Sequence, residues 1–118
     1  MLNYKELSVW QEAMKVAEQA YDMVKKFPIY EQYGLMSQIR RSSISIASNI
    51  AEWMQRTWKD QLHFLRISSW SACELETQVL LAQRLWYIDT LDNIDFSIEL
   101  ILKMLTWLKK RVKLYAKI

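Results

Sequence analysis

One glycine and one proline in 118 residues, Gly34 and Pro28, leave this chain few places to turn. Both stand in the stretch Phe27 to Gly34, so the strongest break is confined to one short segment. An all-β domain would need turn residues about every 8–12 positions, which this composition cannot supply. Long elements follow. With 52% hydrophobic residues the chain has enough apolar surface to bury a core. Its length is that of a single domain. The expectation is an all-α fold.

Periodicity divides the chain into four helices. Ser8 and Gln11 have the spacing of a capping box, and Trp10, Ala13, Met14, Ala17, Ala20, Tyr21, Val24 and Phe27 recur at helical intervals. This predicts a first helix over about 8–26. A second, over about 34–56, carries Ile39, Ile46 and Ile50 beside a stripe of Ile44, Ala47, Ala51 and Met54. Its segment Arg40 to Ser48 is rich in serine, a mediocre helix former whose small side chain lets a neighbouring helix approach closely. Thr57 with Asp60 reads as the cap of a third helix over about 58–85. Leu65, Ala72, Leu75, Val79 and Ala82 form its stripe; Leu62, Ile67, Cys73 and Leu81 lie off it, which suggests burial against more than its own bundle. Thr90 or Asp92 caps a fourth helix over about 92–116, with a heptad seam of Ile94, Ile98, Ile101, Leu105, Leu108, Val112 and Tyr115. Four such helices with short connections make an up-down-up-down antiparallel four-helix bundle in a single domain, residues 1–118.

The composition excludes several chemistries. One Cys and one His, Cys73 and His63, cannot form a disulfide framework or a zinc site of Cys and His ligands. A di-iron bundle needs two Glu-x-x-His motifs, and no second His exists. His63 is therefore expected on the surface or at an interface, and Cys73 as a small core thiol. Asn49 with Glu52, and Glu74 with Glu76, are expected to be half-buried in a hydrogen-bonded network rather than to act as catalysts, with Asn49 and Glu52 meeting Arg41 or a residue of the third helix. No cofactor, no metal and no enzymatic activity are expected. No apolar run approaches the roughly 18 residues of a membrane span, and the first residues lack a signal-peptide pattern, so the expected location is the cytoplasm.

Charge is concentrated. The net charge is +3, but from Phe96 to Ile118 six basic residues (Lys103, Lys109, Lys110, Arg111, Lys113 and Lys117) stand against Glu99 alone. Arg40 and Arg41 in the second helix, Arg56 and Lys59 flanking the next turn, and Lys109, Lys110, Arg111 and Lys113 are the candidate nucleic-acid contacts. Arginine suits phosphate because its planar fork donates two parallel hydrogen bonds. Part of the basic end of the fourth helix is also accounted for by complementarity to the helix dipole.

Several segments carry a family resemblance. Leu7-Ser8-Val9-Trp10-Gln11-Glu12-Ala13 opens the first helix, and Tyr33-Gly34-Leu35 precedes Ser37-Gln38-Ile39-Arg40-Arg41-Ser42-Ser43. Ile46-Ala47-Ser48-Asn49-Ile50-Ala51-Glu52, Phe64-Leu65 and Glu74-Leu75-Glu76-Thr77-Gln78 follow in order. Together they resemble the small bacterial four-helix bundle family first described as 23S ribosomal RNA intervening-sequence proteins, which includes accessory proteins of diversity-generating retroelements. The resemblance spans nearly the whole chain. It implies a ring-like homopentamer whose partner is RNA, DNA or a nucleic-acid enzyme such as a reverse transcriptase.

One departure is systematic. The family pattern favours glycine where this chain has Trp53, Trp58, Trp70, Trp86 and Trp107. Position 86 follows the third helix, where a left-handed residue is expected, and position 70 lies among small residues, where an indole is expected to push a packed neighbour outward. Some bacterial lineages read UGA as glycine and other codes read it as tryptophan, so recoded glycines are one reading of this pattern; the other is genuine divergence, with the indoles packed at subunit contacts.

The functional expectation is a homo-oligomeric, non-catalytic protein that binds nucleic acid, or a nucleic-acid enzyme, through basic surfaces. The alternative is a purely protein-binding helical scaffold without nucleic-acid affinity.

Overall fold

A computed structural model describes residues 3–116, without the side chains of Trp58 and Ala116; Lys117 falls outside the described residues. Among these the order is a 3₁₀ turn at Tyr4–Glu6, α1 (Ser8–Val24), a second 3₁₀ turn at Ile29–Glu31, α2 (Leu35–Gln55), α3 (Trp58–Arg84) and α4 (Ile94–Ala116). Each helix packs on its two neighbours in the ring α1–α2–α3–α4, and the diagonal pairs do not meet among the described residues. The particle is elongated, 51 × 22 × 21 Å, as expected when a 27-residue helix such as α3 runs about 40 Å along the long axis. This is the up-down-up-down antiparallel four-helix bundle.

The core is built from the helical stripes. Leu65, Ala72, Leu75, Val79 and Ala82 of α3 are all fully buried, as are Ile39, Ile46 and Ile50 of α2. Ile98, Ile101 and Leu105 of α4 are too, with Ile94 nearly so. Each such Ile or Leu stabilises the fold by about 1.5–3 kcal/mol relative to exposure.

Three stripes depart from the periodic pattern. In α1 the buried face is Val9, Ala13, Val16, Ala20, Met23 and Val24, whereas Met14 and Tyr21 stay at the surface, about two-fifths exposed. The stripe expected there is turned slightly about the helix axis, because Val9, Val16 and Met23 reach the core first. Ile44 of α2 faces outward. The α4 seam fades towards its end: Leu108 and Val112 are half-buried and Tyr115 is exposed, since the neighbouring helices stop supplying a surface there.

Helix ends follow local chemistry, with corrections. Leu7, not Ser8, holds the N-cap position of α1, and Gln11 Nε2 instead donates back to the Lys5 carbonyl at 2.9 Å. Thr57 is at the N-cap of α3, yet its side chain accepts no capping bond. Neither Thr90 nor Asp92 caps α4. Thr90 Oγ1 accepts the Asp92 N–H within the preceding turn, and α4 starts at Ile94 after Asp92 and Asn93 in left-handed conformations. At the first turn Glu31 reaches forward, and its Oε1 accepts the Leu35 N–H at 3.2 Å. A Cβ at position 34 would lie 2.6 Å from that oxygen, so Gly34 leaves room for this carboxylate cap.

Trp86 has φ 64° at the end of α3. The Trp86 N–H bonds to the Gln83 carbonyl and the Tyr87 N–H to the Ala82 carbonyl, the paired bonds of a Schellman motif with Trp86 at its left-handed position.

Candidate nucleic-acid interface

Antiparallel winding decides which basic residues meet. The start of α1, the α2–α3 turn and the end of α4 lie at one end of the bundle. Arg56, Lys59, Lys109, Lys110, Arg111 and Lys113 are therefore directed to that end, although more than fifty residues separate Arg56 from Lys109 in the chain. Lys5, beside the start of α1, and Lys103, one turn and a half before Lys109, add to them; sequence reasoning left both out of the site. Arg40 and Arg41 stand some fifteen residues before Arg56 on α2, about 23 Å up the helix axis. The eight candidate residues thus divide into two groups. The opposite end of the bundle carries Asp22, Glu31, Asp89, Asp92 and Asp95 together with Lys25, Lys26 and Arg84, so its charge is mixed where the first end is mainly basic.

The basic end is weakly compensated. Arg56 pairs with Glu52 at 3.0 Å and stacks over the Phe64 ring at 5.1 Å. No carboxylate lies within ion-pair distance of Lys109, Lys110, Arg111 or Lys113 among the described residues. The Arg111 guanidinium sits over the Trp107 ring at 5.2 Å and over the Tyr115 ring at 5.7 Å, and its Nη2 donates to Tyr115 Oη at 3.5 Å, an arrangement that holds the charge at the surface. The α1 and α3 N-termini also point to this end, and neither has a side-chain cap, whereas the α2 N-terminus at the acidic end is met by Glu31. Uncapped N-terminal N–H groups favour anions.

Arg41 belongs to a different environment. It lines a cleft of about 470 Å³ between α2 and α3 with Gln38, Ser42, Ser45, Ser71, Glu74 and Gln78. The helices approach closely over their serines, as the serine-rich segment predicts. Ser42 Oγ donates to Gln78 Oε1 at 2.7 Å, the Ser45 and Ser71 hydroxyls are 2.7 Å apart, and Ser68 Oγ donates to the Ile46 carbonyl at 2.9 Å. The expected Asn49–Glu52 network does not form. Asn49 Nδ2 bonds back to the Ser45 carbonyl and hydroxyl, and Glu52 turns to Arg56, because each finds a partner on its own helix. Glu74 is exposed; Glu76 is half-buried, and its carboxyl is raised above the usual range by burial and by Glu99 and Asp95 of α4.

The two isolated reactive side chains are both at the surface. His63 is exposed and meets the Phe64 ring edge-on. Cys73 is exposed as well, contrary to the core thiol expected, since it falls on the outer face of α3 beside Trp70 and Thr77. Trp70 is 62% exposed and displaces no packed neighbour, again contrary to expectation, because the small residues around it, Ser69 and Ser71, turn inward instead. Among the described residues no group of three or more His, Cys, Asp or Glu is placed to hold a metal ion. No helix among them is long and apolar enough to cross a membrane.

A family model described as 23S rRNA-intervening sequence protein matches residues 5–107 of the chain. No curated protein matches it.

Proposed function

We propose that this chain, which belongs to the 23S rRNA-intervening sequence protein family, is a cytoplasmic, non-catalytic, homo-oligomeric protein that binds structured RNA or DNA, or docks a nucleic-acid enzyme such as a retroelement reverse transcriptase, through its basic end. The observation that carries this reading is the convergence of Arg56 and Lys59 with Lys109, Lys110, Arg111 and Lys113, the last four without a carboxylate in ion-pair distance among the described residues, beside two helix N-termini without a side-chain cap. In a homopentamer, as the family resemblance implies, each such patch would recur five times around an axis, and weak contacts would add through avidity.

The test is a fluorescence-anisotropy titration of a labelled RNA hairpin at 50 and 200 mM salt. Contact with roughly 6–10 phosphates weakens binding about a thousandfold or more over that range. Charge reversal across Lys109 to Lys113 is expected to abolish it. Absence of binding at the lower salt would favour the scaffold alternative, for which the exposed Leu81 and Phe96 are the supporting observation.

We also propose that Trp53, Trp58, Trp70, Trp86 and Trp107 correspond to UGA codons that the source lineage reads as glycine. Trp86 supports this most directly, since it occupies a left-handed position that glycine adopts without strain. Trp53 adds a buried Nε1 with no acceptor; the side chain of Trp58 is outside the described residues. Five UGG codons in the gene would overturn the proposal.

A further inference from the structure

The α2–α3 cleft presents polar groups that the bundle leaves unused. Arg41 and Glu74 line it from opposite helices, both exposed, and neither has an ion-pair partner within 4 Å among the described residues. Two opposite charges therefore face one space without closing on each other. Gln78 Oε1 accepts from the Ser42 hydroxyl, which leaves its Nε2 facing the solvent of the cleft and free to donate. The Ser45 and Ser71 hydroxyls close the floor by bonding to each other. At about 470 Å³ the cleft has the size of a small-molecule site.

We propose that this cleft binds guanine, as the base of a free nucleotide or of an unpaired guanosine in RNA. The carboxylate of Glu74 only accepts, and guanine offers it two adjacent donors, N1–H and N2–H₂, one for each oxygen. On the neighbouring edge O6 and N7 are both acceptors, which is the pair that an arginine fork such as that of Arg41 meets bidentately. Gln78 Nε2 supplies a further donor to the same edge. Uracil has one such donor, and adenine and cytosine each have a single amino group, so none of them offers the carboxylate two adjacent donors while giving the guanidinium an acceptor pair. The RNA source rests on the nucleic-acid reading above; the free-nucleotide source does not. The cleft stands about 23 Å from the basic end, a distance that roughly seven nucleotides of a stacked strand would span.

The test uses the full chain in two arms. Isothermal titration calorimetry compares GMP with AMP, CMP and UMP. Anisotropy compares a uridine dodecamer with the same strand carrying one guanosine. GMP is expected to bind at least about tenfold more tightly than the other nucleotides, the scale of one good bidentate base contact. Glu74→Gln and Arg41→Gln are expected to remove that preference, and circular dichroism melting of both variants separates loss of the site from loss of the fold. Preference for GMP and for the guanosine-bearing strand assigns the site to RNA; preference for GMP alone assigns it to a free nucleotide. Binding of both strands equally, with no heat from GMP, overturns the guanine site and leaves the basic-end reading standing. No binding in either arm overturns both.

Discussion

Tyr87 Oη donates a 2.8 Å hydrogen bond to Glu31 Oε2, across 56 positions of sequence. The other oxygen of the same carboxylate caps α2 at Leu35, so the turn after α3 is tied through one side chain to the start of α2. The Tyr30 hydroxyl, 3.3 Å from that of Tyr87, and the Glu31 carboxylate together push the Tyr87 phenol above its ordinary range, which keeps it a donor. The Phe27 ring packs against Tyr87 at 5.3 Å.

This coupling is measurable. Glu31→Ala is expected to cost about 1 kcal/mol of stability, the usual loss for a helix cap. Tyr87→Phe is expected to lower the urea midpoint of the natural chain and to change it little once Glu31 is gone. Equal effects in both backgrounds would show that the two side chains act independently.

Ile98 and Ile44 are both isoleucines on helical stripes, but Ile98 is fully buried and Ile44 is 46% exposed. Ile98→Ala is expected to destabilise by about 2–5 kcal/mol, through lost transfer energy and the cavity left behind. Ile44→Ala is expected to change the stability of the single chain by no more than about 0.5 kcal/mol. Urea unfolding at low protein concentration makes the comparison; a large cost at Ile44 would mean that this face is covered in solution.

Glu76 has a carboxyl raised from its ordinary value of 4.5 by burial, Glu99 and Asp95. The folded state therefore holds this proton more firmly than the unfolded state. Stability contributed by the protonated form is present below pH 4.5 and is lost as pH rises through the raised folded value. Glu76→Gln is expected to flatten this part of the profile and to stabilise the protein at neutral pH, by less than about 1 kcal/mol because solvent still reaches the half-buried carboxyl and screens it. Urea midpoints for both proteins from pH 4 to pH 7 give the answer, and parallel profiles would remove Glu76 as the cause.

Trp86 is 86% exposed and sits at φ 64°, so it has strain and little packing to offset it. Trp86→Gly is expected to raise stability by about 1 kcal/mol, the scale of the left-handed penalty for a residue with a Cβ. A fall in melting temperature would show that the indole makes contacts that outweigh the strain.

How much of this was legible beforehand varies by element. The α3 stripe from Leu65 to Ala82 was readable outright, since its apolar residues are spaced unambiguously and all reach the core. The α1 face was not, because Met14 and Tyr21 recur at helical spacing just as Val16 and Met23 do, and only contact with α2 and α4 chooses between them. Cys73 illustrates the same limit, being small, apolar and outward. The basic residues could be named from sequence, but not their division into two groups.

Taken alone, the sequence determined the helices: turn residues confined almost wholly to one stretch and apolar positions at helical spacing are local properties, and local geometry enforces them. Only the tertiary structure decided which sides touch and which distant residues share an end. It brought Arg56 to the end of the bundle that Lys109 to Lys113 occupy and set Arg41 across a cleft from Glu74. Those relations depend on the antiparallel winding and on how closely serines let α2 and α3 approach. Both are set by the shape of the neighbouring helix, which spacing along one chain segment does not encode.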